Sequence, residues 1–255
     1  MPAADRYFCD SPIRGDKAVL AGAEAHHLIH VMRAGPGTRV ILFDGTGWEY
    51  SAQVEAVGRA EATLAVLDRH QVDRELPVEI RLGVSLPKGD RQKWLVEKAV
   101  ELGVAGIIPL KTSRSVAQPV EQALARLQRG VIEASKQCGR NRLMEISEPQ
   151  EWADFAIAAP AACDRLLAHP DSVGRASNSS HSRSREPRQG LADLAAASRG
   201  PVYLAIGPEG GFTADEVALA TSAGWRQVDL GRRTLRIETA AILLVALVSS
   251  IGGRW

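Results

Sequence analysis

The sequence has few cysteines, no long apolar run and almost no net charge, and each of these features excludes some classes of protein. Its three cysteines, Cys9, Cys138 and Cys163, are odd in number and widely spaced, which predicts reduced thiols rather than a disulfide framework. The longest apolar run, Ala240 to Val248, is far shorter than the roughly 20 residues that a membrane-spanning helix needs. The N-terminal stretch has no signal-peptide pattern. We therefore expect a cytoplasmic protein with no membrane-bound segment.

Charge balance alone does not identify a partner. The 31 basic and 30 acidic residues leave a net charge of +1, so the composition does not by itself indicate a nucleic-acid binder. Most of the cations are arginines, whose planar guanidinium suits phosphate recognition. An apolar content of 45% is ordinary for a globular protein, and 255 residues are enough for one large domain or two modest ones.

Two common kinds of site are missing from the sequence. No glycine-rich segment ends in the G-K-[ST] of a phosphate loop, and none has the glycine triplet of a dinucleotide site. His26 and His30 share a helical face beside His27, but no cysteine or carboxylate cluster accompanies them. We therefore expect no metal site, and we expect these histidines to have structural or RNA-contact roles.

The pattern of apolar residues divides the chain into two parts. From about Arg39 to Asp68 it predicts β-structure, with a strand at Val40–Phe43 and a hairpin turn at Asp44–Gly47, preceded by a short helix over Ala23–Met32. Residues 1–71 are thus predicted to form a small β-barrel domain. The charged segment 71–77 ends in proline and is predicted to be a linker.

The second predicted domain spans residues 78–255 and has a different pattern. A strand from Val78 to Leu86, a helix capped by Asp90, and a strand at Gly106–Leu110 form a βαβ unit, which implies a parallel sheet. The apolar face of that helix is predicted to include Trp94, Leu95, Ala99 and Leu102. Later elements are a helix over Val120–Cys138, strands at Val202–Ile206 and Gln227–Leu230, and a last helix from about Glu238. Residues 169–190, rich in serine and arginine, are predicted to be a flexible insertion, with an RNA-gripping arm as the alternative.

Two glycine-containing turns carry most of the functional information. Gly207–Phe212 follows the strand Val202–Ile206, and Leu230–Ala240 follows the next strand. A tight glycine turn exposes backbone N–H and C=O groups, and two such turns side by side can hold a flat polar ligand such as an adenine nucleoside. Thr213 and Glu216 are predicted to form a capping box directly after the first turn. The alternative is that both segments are ordinary strand-to-helix turns.

These segments closely resemble the RsmE family of ribosomal RNA methyltransferases. The resemblance rests on G-P-E-G-G-F at residues 207–212 and L-G-x-R-x-L-R-x-E-T-A at residues 230–240, and it extends to matching segments through most of the chain. It implies a SPOUT-type, trefoil-knotted parallel-sheet domain preceded by an N-terminal PUA-like β-barrel. It also implies S-adenosylmethionine-dependent methylation of uridine N3 in 16S rRNA of the small ribosomal subunit, and a homodimer.

The resemblance assigns the cofactor-lining positions, while the chemistry of the implied reaction and of phosphate recognition suggests the catalytic and RNA-binding residues. The cofactor would be lined by Ile206, Gly207, Pro208, Gly210, Gly211, Leu230, Gly231, Leu235, Glu238, Thr239 and Ala240. Arg140 and Arg236 are candidate catalytic cations near the uracil oxygens, with phosphate positioning as an equal alternative, and Glu209 is a candidate general base. The RNA contacts would include Arg6, Arg33, Arg114 and Arg142.

Two other functions stay open at this point. A non-catalytic RNA-binding protein with a degenerate cofactor pocket is the first, and the intact glycines of both turns argue against it. A nucleotide-dependent enzyme is the second, and the missing phosphate-loop lysine argues against it.

Overall fold

The computed structural model describes residues 5–115, 121–160, 162–170 and 200–251, and it divides into two compact units. The first unit runs up to Glu75 and includes Ile132–Leu143. The second unit holds Leu76–Val131 and the chain from Met144 onward. The helix that ends at Cys138 is therefore divided between the two units, which no pattern in the sequence indicates. Most of the predicted insertion, residues 171–190, lies outside the described ranges.

The first unit is built on a five-stranded sheet. Its strands are β1 (Arg6–Phe8), β2 (Lys17–Ala21), β3 (Arg39–Phe43), β4 (Trp48–Val57) and β5 (Glu61–Gln71). The spatial order is β1-β3-β4-β5-β2, with β1 parallel to β3 and the other pairs antiparallel. The pairing of β4 with β5 shifts register twice, and such bulges bend long strands, so the sheet can curl around a core that includes Tyr7, Leu42 and Leu64.

The predicted helix over Ala23–Met32 has two parts. Residues Gly22–His26 form α1, and His27–Val31 continue as a π-helix in which Met32 N–H donates to the carbonyl of His27 at 3.0 Å. Arg33 follows with φ = 54°, a left-handed conformation that is uncommon for a residue other than glycine. This backbone turn leaves the side chain of Arg33 exposed directly after the helix.

The second unit contains a seven-stranded parallel sheet with helices on it. Its strands are β6 (Ile80–Val84), β7 (Gly106–Lys111), β8 (Glu145–Ile146), β9 (Gln150–Glu151), β10 (Asp164–Ala168), β11 (Val202–Ile206) and β12 (Arg226–Val228). Its helices are α2 (Arg91–Glu101), α3 (Glu121–Cys138), α4 (Trp152–Ala158), α5 (Ala214–Ser222) and α6 (Ile237–Ile251). The order is β12-β10-β11-β6-β7-β8, and β9 pairs with the end of β7.

Helix α2 corrects two predictions. Asp90 occupies the N-cap position, but its side chain makes no capping hydrogen bond. Trp94 is 44% exposed and does not belong to the buried face, which consists of Leu95, Val96, Ala99 and Val100. Leu95 and Ala99 form one i, i+4 pair, and Val96 and Val100 form another. The centre of the buried face lies between these two pairs, so Trp94 is at its edge. The helix ends at Glu101, and Gly103, just after the C-cap residue Leu102, has φ = 81°, the left-handed conformation that often follows a helix C-terminus.

The strand order determines where a site can form. β10 lies between β11 and β12 and is parallel to both, so the segments that follow these three strands meet at one edge of the sheet. The two glycine turns follow β11 and β12. Sequence analysis did not identify β10, yet this strand sets the spacing between the turns.

Candidate cofactor-binding site

A cavity of about 400 Å³ opens where β10, β11 and β12 end. This volume is within the range typical of small-molecule sites. The walls come from the segments after these strands and from Arg114 after β7. The lining residues are Arg114, Ala168, His169, Pro170, Ile206, Gly207, Pro208, Glu209, Gly210, Gly211, Phe212, Val228, Asp229, Leu230, Gly231, Arg233, Thr234, Leu235, Ile237 and Ala240.

The glycines of the first turn are needed for two different reasons. A Cβ on Gly207 would lie 2.9 Å from the ring of Phe212, so this position is closed by packing. Gly211 has φ = 67°, and a Cβ there would meet no protein atom within 4 Å. Gly211 thus gives the backbone a left-handed bend and leaves open space beside it, where a ligand can approach the main chain.

The helix after this turn begins as the sequence predicts. The side chain of Thr213 accepts from Glu216 N–H at 3.2 Å, and the carboxylate of Glu216 accepts from Thr213 N–H at 2.7 Å, which completes the capping box. Glu216 also accepts from Ser113 N–H at 2.8 Å. Burial favours the neutral acid, but the N–H donors of Ser113 and Thr213 outweigh it and hold the pKa of Glu216 below its ordinary value.

The second turn has a similar open glycine. Gly231 has φ = 109°, and no protein atom lies within 4 Å of a Cβ built on it. Its N–H donates to the carboxylate of Asp229 at 2.8 Å, which fixes the start of the turn. Arg232, Arg233 and Arg236 follow and are exposed, so this rim of the cavity carries positive charge.

Arg91, at the start of α2, connects the two turns. Its guanidinium lies 3.6 Å from Glu209 Oε1 in the first turn and 3.7 Å from Glu238 Oε2 at the start of α6. Glu238 is 7% exposed, and its Oε2 has no closer hydrogen-bond donor among the described residues. Sequence analysis did not single out Arg91, because nothing local indicates that α2 approaches both turns.

Most of the predicted cofactor residues lie at the cavity. Glu238 and Thr239 do not line it; they are in the first turn of α6, next to the lining residues Ile237 and Ala240. Glu209, the candidate base, lines the cavity. So does Arg114, a predicted RNA contact whose Nη1 donates to the carbonyl of Gly210 at 2.6 Å. Arg236 is exposed on the second turn but is not a lining residue. None of these placements tests a role, so the roles stay predictions.

Arg140 lies in the first unit. It is 4% exposed, and its Nε donates to Glu75 Oε1 at 3.1 Å, while its Nη2 donates to the other oxygen of the same carboxylate. This bidentate ion pair gives Arg140 a structural role within the first unit. The catalytic role predicted for it stays a prediction.

The other predicted RNA contacts also lie in the first unit and differ in exposure. Arg6 donates to Glu49 Oε2 and to Asn141 Oδ1, both at 2.6 Å, and its side chain is 12% exposed. Burial favours the neutral form of Glu49, but hydrogen bonds from Arg6 and Arg74 hold its pKa below the ordinary value. Arg33 and Arg142 are exposed, so their charges are more accessible to phosphate than that of Arg6.

Metal sites and membrane-spanning helices are absent from the residues that the structure describes. Within them, no group of three or more histidine, cysteine or acidic side chains could hold a metal ion. No helix of these ranges is long and apolar enough to cross a membrane. All three cysteines carry free thiols, and burial raises the pKa of Cys9 to about 12.

Comparison with known families matches both units. Residues 74–249 match the model described as an RNA methyltransferase domain, and residues 20–67 match the RNA methyltransferase PUA domain. The ribosomal RNA small subunit methyltransferase E of Mycobacterium bovis is 32% identical over 98% of this chain and 92% of its own length. That of Bacillus subtilis is 27% identical over 90% of this chain and 88% of its own.

Solved structures agree with these matches. The ribosomal RNA small subunit methyltransferase E of Neisseria gonorrhoeae, bound to S-adenosyl methionine, is 28% identical with a TM-score of 0.82. A putative methyltransferase from Legionella pneumophila, in complex with the cofactor SAM, is 29% identical with a TM-score of 0.80. Each comparison covers 97% of both chains. The predicted fold, a PUA-like domain followed by a SPOUT-type parallel-sheet domain, is confirmed, and this chain belongs to the ribosomal RNA small subunit methyltransferase E family.

Proposed function

We propose that this chain transfers a methyl group from S-adenosylmethionine to N3 of a specific uridine in 16S rRNA of the small ribosomal subunit, in the cytoplasm. The observation that carries the proposal is the meeting of the two glycine turns at one cavity, since both turns match the family's motifs. Membership of the family supports methylation of ribosomal RNA. The choice of a uridine as the nucleotide, and of N3 as the atom, is what we add.

The residues of the cavity fit this cofactor. The open backbone at Gly211 and Gly231 leaves room for a flat adenosyl group and offers it main-chain donors and acceptors. The N-termini of α5 and α6 follow the two turns and favour a carboxylate such as that of the methionine part. When bound, S-adenosylmethionine supplies a methyl group that a sulfonium activates, and that chemistry requires no metal.

In the proposed reaction, residues of this chain accept a proton from the uracil and stabilise the negative charge that develops on it. N3 carries a proton at neutral pH, and its removal leaves negative charge that is shared with the two carbonyl oxygens of the uracil. Arg236, exposed on the second turn, is the proposed cation that stabilises this charge, and Glu209 at the cavity wall is the proposed proton acceptor. Arg91, within 3.6 Å of Glu209, helps to hold the carboxylate in position.

The first unit is proposed to bind the RNA. It matches a PUA domain of RNA methyltransferases over residues 20–67. Arg33 and Arg142 present exposed guanidinium groups that suit phosphates, while Arg6 keeps the segment after α3 in place through Asn141 and the carbonyl of Gly139.

The active form is proposed to be a homodimer. Helix α6 is apolar along nearly its whole length and is packed against α2. Leu243 on α6 is 36% exposed and Trp94 on α2 is 44% exposed, and a second copy of the chain would cover such side chains. Trp94→Glu should therefore convert a dimer into a monomer in light scattering, while Lys93→Glu, at the neighbouring exposed position, should not. A wild-type protein that is monomeric at assay concentration would contradict this part of the proposal.

The function can be tested in cells that lack this gene. Mass spectrometry of their small-subunit rRNA should show one uridine without its methyl group, and expression of this chain should restore it. If the rRNA of the deletion strain keeps all of its methyl groups, the proposal is wrong.

A further inference from the structure

One wall of the cavity belongs to neither glycine turn. His169 and Pro170 follow β10, the central strand of the three that end here, so they lie between the segments that follow β11 and β12. The N–H of His169 donates to the carbonyl of Val228 at 3.1 Å, which ties this residue to the end of β12. His169 was predicted to begin a solvated insertion, but it is half-buried and lines the cavity.

The two ring nitrogens of His169 have different surroundings. Nδ1 is buried and has no hydrogen-bond partner among the described residues, whereas Nε2 is not one of the buried, unpartnered atoms. A proton on Nδ1 would be a buried donor without an acceptor, which costs more than an unused lone pair. The neutral ring therefore carries its proton on Nε2, which makes Nε2 the only hydrogen-bond donor of this cavity-lining ring.

We propose that His169 is a specificity-determining residue of the cofactor site, which donates a hydrogen bond from Nε2 to the adenosyl cofactor. This inference rests on the proposed function, because it takes S-adenosylmethionine as the ligand of the cavity. An uncharged donor suits this ligand, since the methyl donor carries a positive sulfonium and the demethylated product, S-adenosylhomocysteine, does not.

The charge of the His169 ring predicts how the affinity for each ligand changes with pH. Burial lowers the pKa of His169 below its ordinary value, so the ring is neutral at pH 7.5 and gains a proton as the pH falls toward the acidic range. A protonated ring would repel the sulfonium but not the uncharged thioether. The other charged side chains at this cavity are Arg114, Glu209, Asp229 and Arg233, so the same titration is needed in variants that lack the imidazole.

The test is calorimetric titration of the full-length protein with S-adenosylmethionine and S-adenosylhomocysteine at pH 7.5 and 5.5. His169→Leu should weaken binding of both ligands about 2- to 10-fold at pH 7.5, the range expected for one hydrogen bond. His169→Gln, which keeps an N–H donor near the position of Nε2, should restore most of that loss. In the wild type, acidification should weaken binding of the methyl donor more than that of the product, and both variants should lose this selective effect.

Several outcomes would overturn the inference. One is wild-type affinity for both ligands in His169→Leu, and another is a selective pH effect that survives in both variants. Circular dichroism and thermal melting of each variant exclude misfolding as the cause of any loss, and His169→Gln gives a second variant if His169→Leu does not fold. A wild-type protein that binds neither ligand would instead contradict the proposed function.

Discussion

At the residue scale, two glycines of the first turn differ in what surrounds them, and the difference indicates a packing role for one and a binding role for the other. Gly207 is closed by the ring of Phe212, whereas the space beside Gly211 is open. The sequence predicts that both glycines belong to the site, because both are part of the family motif. It cannot show which of them faces a ligand, since that depends on where Phe212 packs after the chain has folded.

Substitution of Gly211 by valine tests the open space directly. In Gly211→Val the new side chain would project into the cavity and should abolish binding of S-adenosylmethionine in calorimetry. The left-handed backbone at this position should also cost the variant about 1–2 kcal/mol of stability. Gly89→Val is the matched control, because Gly89 has φ = 65°, meets no atom within 4 Å and does not line the cavity. Gly89→Val should lose a similar amount of stability and bind S-adenosylmethionine normally. Unchanged cofactor affinity in Gly211→Val would show that Gly211 is not part of the site.

Arg140 shows how a motif can combine structure with a predicted catalytic role. Because its guanidinium pairs with Glu75, Arg140→Ala should lower the free energy of unfolding, by up to about 3 kcal/mol. Cofactor affinity should be unchanged, since the residues that line the cavity belong to the second unit. Glu75→Gln should also destabilise the protein. The two roles separate in single-turnover assays with saturating RNA at a temperature where both variants are folded: a large rate loss confined to Arg140→Ala supports catalysis, and wild-type rates in both exclude it.

At the element scale, sequence reasoning succeeded where the signal is local. The capping box of α5 was predicted correctly, because Thr213 and Glu216 are three residues apart. The hydrogen bond from Ser113 N–H to Glu216 joins positions that are 103 residues apart, so it could not be predicted. Strand β10 was missed because its five residues directly precede the polar segment. The buried face of α2 was misplaced by one position, because Trp94 is apolar but lies at the edge of that face.

The charge of Glu216 should make part of the stability depend on pH. Its pKa is lower in the folded chain than the ordinary value of 4.5, so its contribution is fully present above about pH 4.5 and is lost as the pH falls through the lower, folded pKa. Glu216→Gln should lower stability at pH 7 by about 1 kcal/mol, or roughly 2–4 °C in Tm. The difference from wild type should shrink as the pH falls below 4.5. A difference that is the same at pH 7 and pH 3.5 would show that the charge is unimportant.

At the scale of the whole molecule, the chain combines a PUA-like unit with a parallel-sheet unit that holds the cavity. Both parts could be predicted from the sequence, through the change from β-structure to a βαβ pattern and through the family resemblance. The inclusion of Ile132–Leu143 in the first unit could not, because this segment contacts residues more than 60 positions away, such as Glu75 and Val72. The trefoil knot stays a prediction from the family.

RNA binding should depend on the exposed arginines of the first unit. Arg33→Glu should weaken binding of a small-subunit rRNA fragment and reduce the slope of log K against log salt by about 0.7–0.9, because fewer counterions are released. Arg226→Glu is the control: Arg226 is exposed at the start of β12, belongs to the second unit and does not line the cavity. Equal salt slopes for wild type and Arg33→Glu would argue against a phosphate contact at Arg33.

The cavity between the two glycine turns is proposed to support methylation of uridine N3. The most direct test is to incubate purified protein with isotopically labelled S-adenosylmethionine and small ribosomal subunits from a strain without this gene, and then to analyse the rRNA nucleosides by mass spectrometry. The wild type should place the label in 3-methyluridine, at no more than one per 16S rRNA, and Gly211→Val should place none. Label in another nucleoside would contradict methylation of uridine N3 by this protein. So would a wild type that places no label on either assembled subunits or free rRNA.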